Sequence, residues 1–391
     1  MNKQEIMQRI AEFEANRSYE RFNFMALTFL YYIGQQPEDG YAYFKAVRVC
    51  EADEYELNDK PCETVKKDLD ELPYELLERL EYEPETEVEA KRYNNIHKIV
   101  LLFDEGTEKE RYVILNQDTY LHTSHAVFDR KWGQLNSLQS LRHICKELLD
   151  SDERKGADCD ETKELEETLQ YYGTFIRGCT LIKHDGYSEI LSFRTGNAVV
   201  RPFSEVAENF LKTTGAEEGE LYLTNKECQI RVLLPIEGFC GNKPILILNY
   251  SDTGYVKDSI GYGYCVGAHY FQVGTFDFEK DYNYSEVKEL ALAALEKNIA
   301  ECRENADVPL TTNPVLQASN IIVSARRKAG LKDSFPGNKI LDKLYETVGE
   351  EKYETELDLK LAILNHIYST KLAPTNKALL EKKGANAILN A

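Results

Sequence analysis

Two close pairs of potential metal ligands are the residues best suited to chemistry, namely His122 with His125, and His143 with Cys145. A zinc site needs three or four such nitrogen and sulfur ligands within about 2.0–2.3 Å of the ion. The spacing matches no standard zinc module, and the second pair falls in a predicted helix, where positions i and i+2 point apart. The pattern therefore favours ordinary loop histidines and a packed Cys145, and it predicts no cofactor.

Two short motifs resemble catalytic signatures but lack the required context. Glu89-Ala-Lys91 has the E-x-K form of a metal-dependent nuclease, yet it ends a charged loop and not an apolar strand. Gly261, Gly263 and Gly267 could suggest a phosphate cradle, but a phosphate site needs a strand, a glycine turn and then a helix. Here both flanks are strand-like, so the glycines indicate a bulge or close packing. No motif specifies a reaction, and the sequence leans against an enzyme.

Nucleic-acid binding has two candidate sites. Four aromatic residues could stack on nucleobases, namely Tyr262, Tyr264, Tyr270 and Phe271. However, Lys257 is the only basic residue between residues 251 and 278. Stacking platforms need electropositive grooves, so core packing is the preferred interpretation. The stronger basic patch lies within residues 321–339 and consists of Arg326, Arg327, Lys328, Lys332 and Lys339. Part of that charge could simply complement a helix C-terminus.

The acidity of the chain is concentrated in one block. Residues 51–90 carry a net charge of −12, out of −20 for the whole protein. Such a field repels nucleic acid and anionic membranes and attracts basic protein surfaces. We expect a protein partner with a basic surface to be bound by the acids at the end of the block, Glu83, Glu85, Glu87 and Glu89. The alternative is that the block only keeps the protein in solution.

Composition excludes several classes of protein. Hydrophobic residues make up 42% of the 391 residues, enough for a globular chain that exceeds a single core. The longest apolar run, residues 22–34, falls short of the roughly 18 residues that a membrane helix needs. The N-terminus has no apolar core of a secretory signal, and the nine cysteines form no C-x-x-C pair. We therefore expect reduced thiols, several of them in the core, in a cytoplasmic protein.

Hydrophobic periodicity predicts an α+β protein with a mixed N-terminal region over residues 1–150. This region contains a helix at 3–15, an acidic insertion at 51–90 and strands around the Asp104 turn. Within the insertion, apolar spacing predicts a helix over 64–80 that Pro73 bends or splits. A further helix is expected at 134–149.

The rest of the chain divides by composition into three parts. Residues 151–174 form a charged linker or helix, 175–280 a largely antiparallel β-rich domain with one helix at 203–214, and 281–391 a helical cap packed on that domain. Asn313-Pro314 predicts a helix start, and Thr355 with Asp358 resembles a capping box.

The second half resembles a phage and plasmid family known as domain of unknown function 932. The similar segments are residues 231–235 (RVLLP), 244–254 (PILILNYSDTG), 357–370 (LDLKLAILNHIYST) and 372–384 (LAPTNKALLEKKG). The resemblance spans about residues 185–390 and rests on a sheet followed by two helices, with Asn365 in the first helix and Gly384 near the end of the second. It implies a gene carried by a mobile element and brings no established activity.

These observations together predict a phage- or plasmid-encoded cytoplasmic protein that binds another macromolecule, such as a host defence factor, through its acidic surface. The alternative is a protein of DNA metabolism, either a single-strand binder or a metal-dependent hydrolase. The sequence leaves the oligomeric state open.

Overall fold

The computed structural model describes residues 1–23, 27–36, 38–48, 63–83, 86, 96–122, 176–195, 200–254, 257–266, 269–278, 284–329, 342, 353–369 and 384–389. The chain is an α+β protein with two mostly antiparallel sheets and a helical C-terminal region. It forms two compact units. One consists of Ala11–Pro202 and Asp252–Tyr255, here the N-terminal unit, and the other of Met1–Ile10, Phe203–Ser251 and Val256–Ala391, here the C-terminal unit.

The N-terminal unit is built on an eight-stranded sheet in the order β1-β7-β8-β6-β5-β2-β3-β4. Its helices are α1 (Lys3–Glu14), which begins in the other unit, and α2 (Tyr74–Leu80). Its strands are β1 (Arg17–Arg21), β2 (Thr28–Gln36), β3 (Tyr41–Arg48), β4 (Glu63–Asp68), β5 (Ile99–Phe103), β6 (Arg111–His122), β7 (Ile176–Lys183) and β8 (Tyr187–Thr195). All pairings are antiparallel except that of β6 with β8.

The C-terminal unit contains a five-stranded antiparallel meander in the order β13-β12-β11-β10-β9. The strands are β9 (Gly219–Leu223), β10 (Cys228–Leu233), β11 (Lys243–Tyr250), β12 (Ser259–Val266) and β13 (His269–Asp277). The described helices are α3 (Phe203–Thr214), α4 (Tyr284–Glu304), α5 (Pro314–Ala329), α6 (Glu356–Ser369) and α7 (Ala385–Leu389), of which α3, α4 and α7 contact the sheet.

Several local predictions are confirmed. The α3 helix has the predicted bounds, and the β5–β6 hairpin turns at Asp104 and Gly106, both of which have positive φ. Asn313 Oδ1 accepts from the amide of Val315 at 2.8 Å at the start of α5. The amide of Asp358 donates to Thr355 Oγ1 at 3.1 Å and the amide of Thr355 donates to Asp358 Oδ2 at 3.3 Å, a reciprocal capping box.

The helix predicted over residues 64–80 is wrong in its first half. Residues 63–68 form β4, which pairs with β3, and the helix starts only after Pro73. Val65 packs inward while Thr64 and Lys66 are exposed, a period of two that the following leucines obscured in the sequence. Leu72, Leu76 and Leu80 are buried in the core of the sheet, so this part of the acidic block belongs to the fold itself.

The β-rich range 175–280 is divided between the two sheets. Strands β7 and β8 pair with β1 and β6 in the eight-stranded sheet, whereas β9 to β13 form the meander. Local patterning identifies strands but not their distant partners, and β1 and β7 are more than 150 residues apart. The helix predicted at 134–149 and the segment 151–174 lie outside the described residues.

Candidate partner-binding surface

The described part of the acidic block presents a rigid, strongly anionic surface. Seven carboxylates between residues 68 and 83 are exposed and are here called the acidic surface, namely Asp68, Asp70, Glu71, Glu75, Glu78, Glu81 and Glu83. Arg79 is the sole cation in this stretch of sequence, which therefore has a net charge of −6. The surface lies on α2 and on the residues directly before and after it.

The core holds α2 firmly beneath these carboxylates. Leu76 and Leu80 are fully buried against the sheet, which turns the opposite side of the helix outward. Arg79 Nη2 donates to Glu189 Oε1 on β8 at 2.5 Å, and the Glu189 side chain is 5% exposed. Nε2 of His184 lies 3.3 Å from the second oxygen of Glu189. The acidic surface is thus fixed by both packing and a part-buried ion pair.

The cations next to the acidic surface are engaged elsewhere. Lys67 Nζ donates to Glu110 Oε1 at 2.7 Å, in the loop before β6. Lys66 lies over the ring of Tyr41, with Nζ 4.1 Å from the ring centroid. Arg79 is turned inward to Glu189. These cations consequently do not neutralise the outward carboxylates, and the field of the surface remains available to a partner.

Tyrosines accompany the carboxylates. Tyr74, the first residue of α2, is 74% exposed, and its hydroxyl lies 3.5 Å from Glu78 Oε1. Tyr82 is 38% exposed, with its ring edge-on to His97 at 6.1 Å. Tyrosine is enriched at the energetic centres of protein interfaces, because it offers apolar area and a hydroxyl on a stiff side chain.

Two buried groups close to this surface have shifted pKa values. Burial, followed by the hydrogen bond of its hydroxyl to Glu81 Oε1 at 3.0 Å, raises the pKa of Tyr32. Burial, with the positive charge of Lys98 nearby, lowers the pKa of His97 to about 4. Since both groups are neutral at pH 7, neither offsets the negative charge of the acidic surface.

The predicted partner-binding residues are only partly described. Glu83 is exposed just after α2, while Glu85, Glu87 and Glu89 lie outside the described residues. The sequence pattern predicts the acids of the loop as the partner-binding residues, and it does not identify Tyr74 or the acids around α2 in that role. The signal was present: Leu76 and Leu80, spaced four apart after Pro73, define an inward face, and Tyr74 falls opposite to it.

The predicted nucleic-acid patch is placed on the last turn of α5. Arg327 and Lys328 are exposed there, whereas Arg326 is half-buried and pairs with Asp342 at 3.2 Å. The pairing removes part of the positive charge expected from sequence. Lys332 and Lys339 lie outside the described residues.

Two of the four aromatic strand residues pack in the core as predicted, whereas Tyr262 and Tyr270 are half-exposed. Tyr264 and Phe271 are each 1% exposed, so they are core residues and cannot stack on bases. The register between β12 and β13 shifts after Tyr262, and a side chain at Gly263 would meet the carbonyl oxygen of Phe271. The prediction of a bulge with close packing is confirmed at Gly263, whereas Gly267 lies outside the described residues.

Most of the predicted metal ligands lie outside the described residues. His122 ends β6, and His125, His143 and Cys145 are not among the residues described. Within the described part of the chain, no three potential ligands form a metal-binding group. Among the five cysteines described as free thiols, Cys179, Cys228 and Cys302 are buried, in agreement with their predicted role in the core.

No family model, curated protein or solved structure matches the chain. Of the helices that the structure describes, none combines the length and the apolar character needed to span a membrane.

Proposed function

We propose that the protein is a non-enzymatic binding protein that captures a basic surface of another protein. The observation that carries this proposal is the acidic surface itself, seven exposed carboxylates around the exposed Tyr74 on a helix anchored by Leu76, Leu80 and the Arg79–Glu189 ion pair. A fixed surface loses little conformational entropy on binding, and its charge steers a basic partner into contact.

A basic protein site is favoured over nucleic acid as the ligand of this surface, because phosphate groups would be repelled by it. The resemblance of residues 185–390 to the phage and plasmid family supports an origin in a mobile element and a location in the host cytoplasm. Mobile elements benefit from proteins that occupy the basic, nucleic-acid-binding sites of host defence factors. We infer a partner of this kind.

The proposal is tested by pull-down from host cells. The test variant carries Glu75→Gln, Glu78→Gln, Glu81→Gln and Glu83→Gln, which removes four charges and keeps side-chain size. The control carries Glu205→Gln, Glu208→Gln, Glu286→Gln and Glu296→Gln, the same charge change at exposed positions of α3 and α4. We expect the first variant to lose a specific basic protein that the control retains. Equal capture by both folded variants would remove this function.

A second candidate function, binding of single-stranded DNA, is supported by the exposed Arg327 and Lys328 at the end of α5. Two phosphate contacts would make affinity fall with salt with a logarithmic slope of about −1.4. We would expect Arg327→Gln with Lys328→Gln to abolish that slope. No shift of labelled single strands by the unmodified protein at low salt would exclude the function.

A further inference from the structure

The C-terminal unit contains a cavity of about 310 Å³ between α4, α6 and α7. Its volume is at the lower end of the range of small-molecule sites, about 300–1,000 Å³. The residues that matter for its chemistry are Asn298, Cys302, Val308, Leu357, Lys360 and Leu389. This site belongs to a different unit from the acidic surface, and its ligand is independent of the proposed function.

The backbone around the cavity is well fixed. The amide of Glu356 donates to the carbonyl of Val308 at 3.1 Å, and the amide of Leu310 donates to the carbonyl of Glu354 at 3.3 Å. The capping box of Thr355 and Asp358 then starts α6 directly at the wall of the cavity. The walls are therefore formed before any ligand arrives, which reduces the entropic cost of binding.

Each carboxylate oxygen of Glu356 in the wall already accepts one hydrogen bond. Its Oε1 accepts from Lys360 Nζ at 2.8 Å, and its Oε2 accepts from Gln317 Nε2 at 3.3 Å. Lys360 Nζ also donates to the carbonyl of Leu389 at 3.3 Å. An ammonium group has three N–H donors, so within the described residues these two bonds leave one for a ligand. The Lys360 side chain is 13% exposed, and its charge is shielded from bulk water.

Asn298 supplies a second donor. Its Oδ1 accepts from the buried hydroxyl of Tyr264 at 2.7 Å, and the residue is 8% exposed. Within the described part of the chain, the Nδ2 group of Asn298 has no hydrogen-bond partner. The Nδ2 group is not fully buried, so a ligand acceptor that bonds to it replaces water in the cavity.

Cys302 does not make the cavity a covalent catalytic site. Burial, with the charge of Glu301 nearby, raises the pKa of its thiol to about 11. The thiol is protonated at neutral pH and is a poor nucleophile.

We propose that this cavity binds a small aliphatic carboxylate. The carboxylate of the ligand accepts hydrogen bonds from Lys360 Nζ and Asn298 Nδ2. The hydrocarbon part of the ligand lies against Val308, Leu357 and Leu389. A carboxylate is preferred to an amine because each carboxylate in the wall already has a lysine partner, Glu356 with Lys360 and Glu301 with Lys297, whereas Nδ2 of Asn298 has no acceptor within the described residues. Glu301 is half-exposed and lies 3.7 Å from Lys297, which moderates its repulsion of an anion.

The probe is 4-methylpentanoate, titrated into the full-length protein by ligand-observed NMR, with 4-methylpentanamide and 4-methylpentan-1-amine as matched ligands. For a ligand of this size we expect a Kd of about 1 mM for the carboxylate, roughly tenfold weaker binding of the amide and weaker binding still of the amine. Equal or tighter binding of the amine would overturn the proposal. So would the absence of carboxylate binding at about 20 mM, since a site of the proposed type would then be mostly occupied.

Three variants identify the site. Lys360→Met removes the cation, Asn298→Asp keeps the acceptor for Tyr264 but removes the amide donor, and Val308→Phe fills the cavity from a partly exposed position. Each variant is expected to weaken binding about tenfold or more. For Lys360→Met and Asn298→Asp the reason is the loss of one hydrogen bond to the ligand, and for Val308→Phe it is the loss of space in the cavity. Lys257→Met, at an 84% exposed position outside the cavity wall, is the control and should bind like the unmodified protein. If Lys360→Met does not fold, unchanged affinity in folded Asn298→Asp and Val308→Phe would still overturn the assignment.

Discussion

Arg79 on α2 and Glu189 on β8 form an ion pair of 2.5 Å that ties the acidic surface to the eight-stranded sheet. The Glu189 side chain is 5% exposed, and its other oxygen lies 3.3 Å from Nε2 of His184, so this buried carboxylate has a polar partner on each oxygen. The position of α2, and with it the presentation of Tyr74, depends on this contact as well as on the buried leucines.

Removing the cation of this pair is expected to destabilise the N-terminal unit. In Arg79→Met the buried carboxylate of Glu189 loses its arginine partner while His184 remains beside its other oxygen, which costs about 2–3 kcal/mol after allowance for the partial exposure of Arg79. Arg79→Met with Glu189→Gln removes both charges and should recover most of that loss. The free energy of unfolding of each variant is measured by urea unfolding and by hydrogen exchange in β8.

The control for this comparison is Lys257→Met, which breaks the exposed pair of Lys257 with Asp277 at 3.4 Å. Exposed pairs contribute less than about 1 kcal/mol, so stability should hardly change. An Arg79→Met variant as stable as this control would show that the leucines alone position α2.

Gly263 is expected to be intolerant of any side chain. A Cβ atom at this position of β12 would meet the backbone oxygen of Phe271, and both strands are fixed by the meander. Gly263→Ala should cost more than about 3 kcal/mol, a typical effect of overpacking that backbone cannot relieve. Thermal unfolding of purified protein provides the measurement.

Gly215→Ala is the matched substitution. Gly215 also carries an unusual backbone angle, φ +64°, but an added methyl group would meet no described atom within 4 Å. Its cost should be only about 1 kcal/mol, the strain of the left-handed conformation. Comparable losses at both glycines would contradict the close packing at the bulge.

Local features of this fold were predictable from sequence, and long-range pairing was not. Asn313-Pro314, the Thr355 capping box and the glycines of β12 each have a signature within a few residues, and the structure contains all three. The pairing of β1 with β7 depends on residues more than 150 positions apart and has no local signature. β4 was missed because its alternation is short and runs directly into a leucine-rich helix.

The candidate sites show the same division. Charge composition located the acidic block, but only the packing of Leu76 and Leu80 shows which carboxylates face outward with Tyr74. The cavity of the C-terminal unit was not found, because Asn298 and Lys360 belong to separate helices and become neighbours only through tertiary packing.

His97 is expected to make stability pH-dependent. Its pKa is about 4 in the folded protein, lowered by burial, against about 6.5 in the unfolded chain. The folded state therefore favours the neutral ring, and this contribution is complete above pH 6.5 and is lost as the pH falls from 6.5 through 4. Between pH 7 and pH 5 the loss amounts to about 2 kcal/mol.

The His97→Gln variant isolates this contribution, because other titrating groups remain the same in both proteins. Urea unfolding at pH 7 and pH 5 should show a fall in stability that is about 2 kcal/mol smaller for the variant than for the unmodified protein. An equal fall in stability in both proteins would contradict the prediction, because His97 would then bind protons alike in the folded and unfolded states.

Tyr74 is expected to dominate binding to the proposed basic partner, while the surrounding carboxylates set the rate of association. Tyr74→Ala should weaken the complex by about 2 kcal/mol, or roughly 30-fold, mainly through faster dissociation. Because Tyr74 is 74% exposed, the stability of the free protein should not change. Glu75→Gln with Glu78→Gln should instead slow association, most clearly at low salt, since screening already removes this attraction at high salt. Tyr222→Ala, at a 54% exposed tyrosine on β9, is the control for nonspecific loss of aromatic surface, and surface plasmon resonance separates the two rates. If Tyr222→Ala weakens the complex as much as Tyr74→Ala does, the partner is not held by the acidic surface.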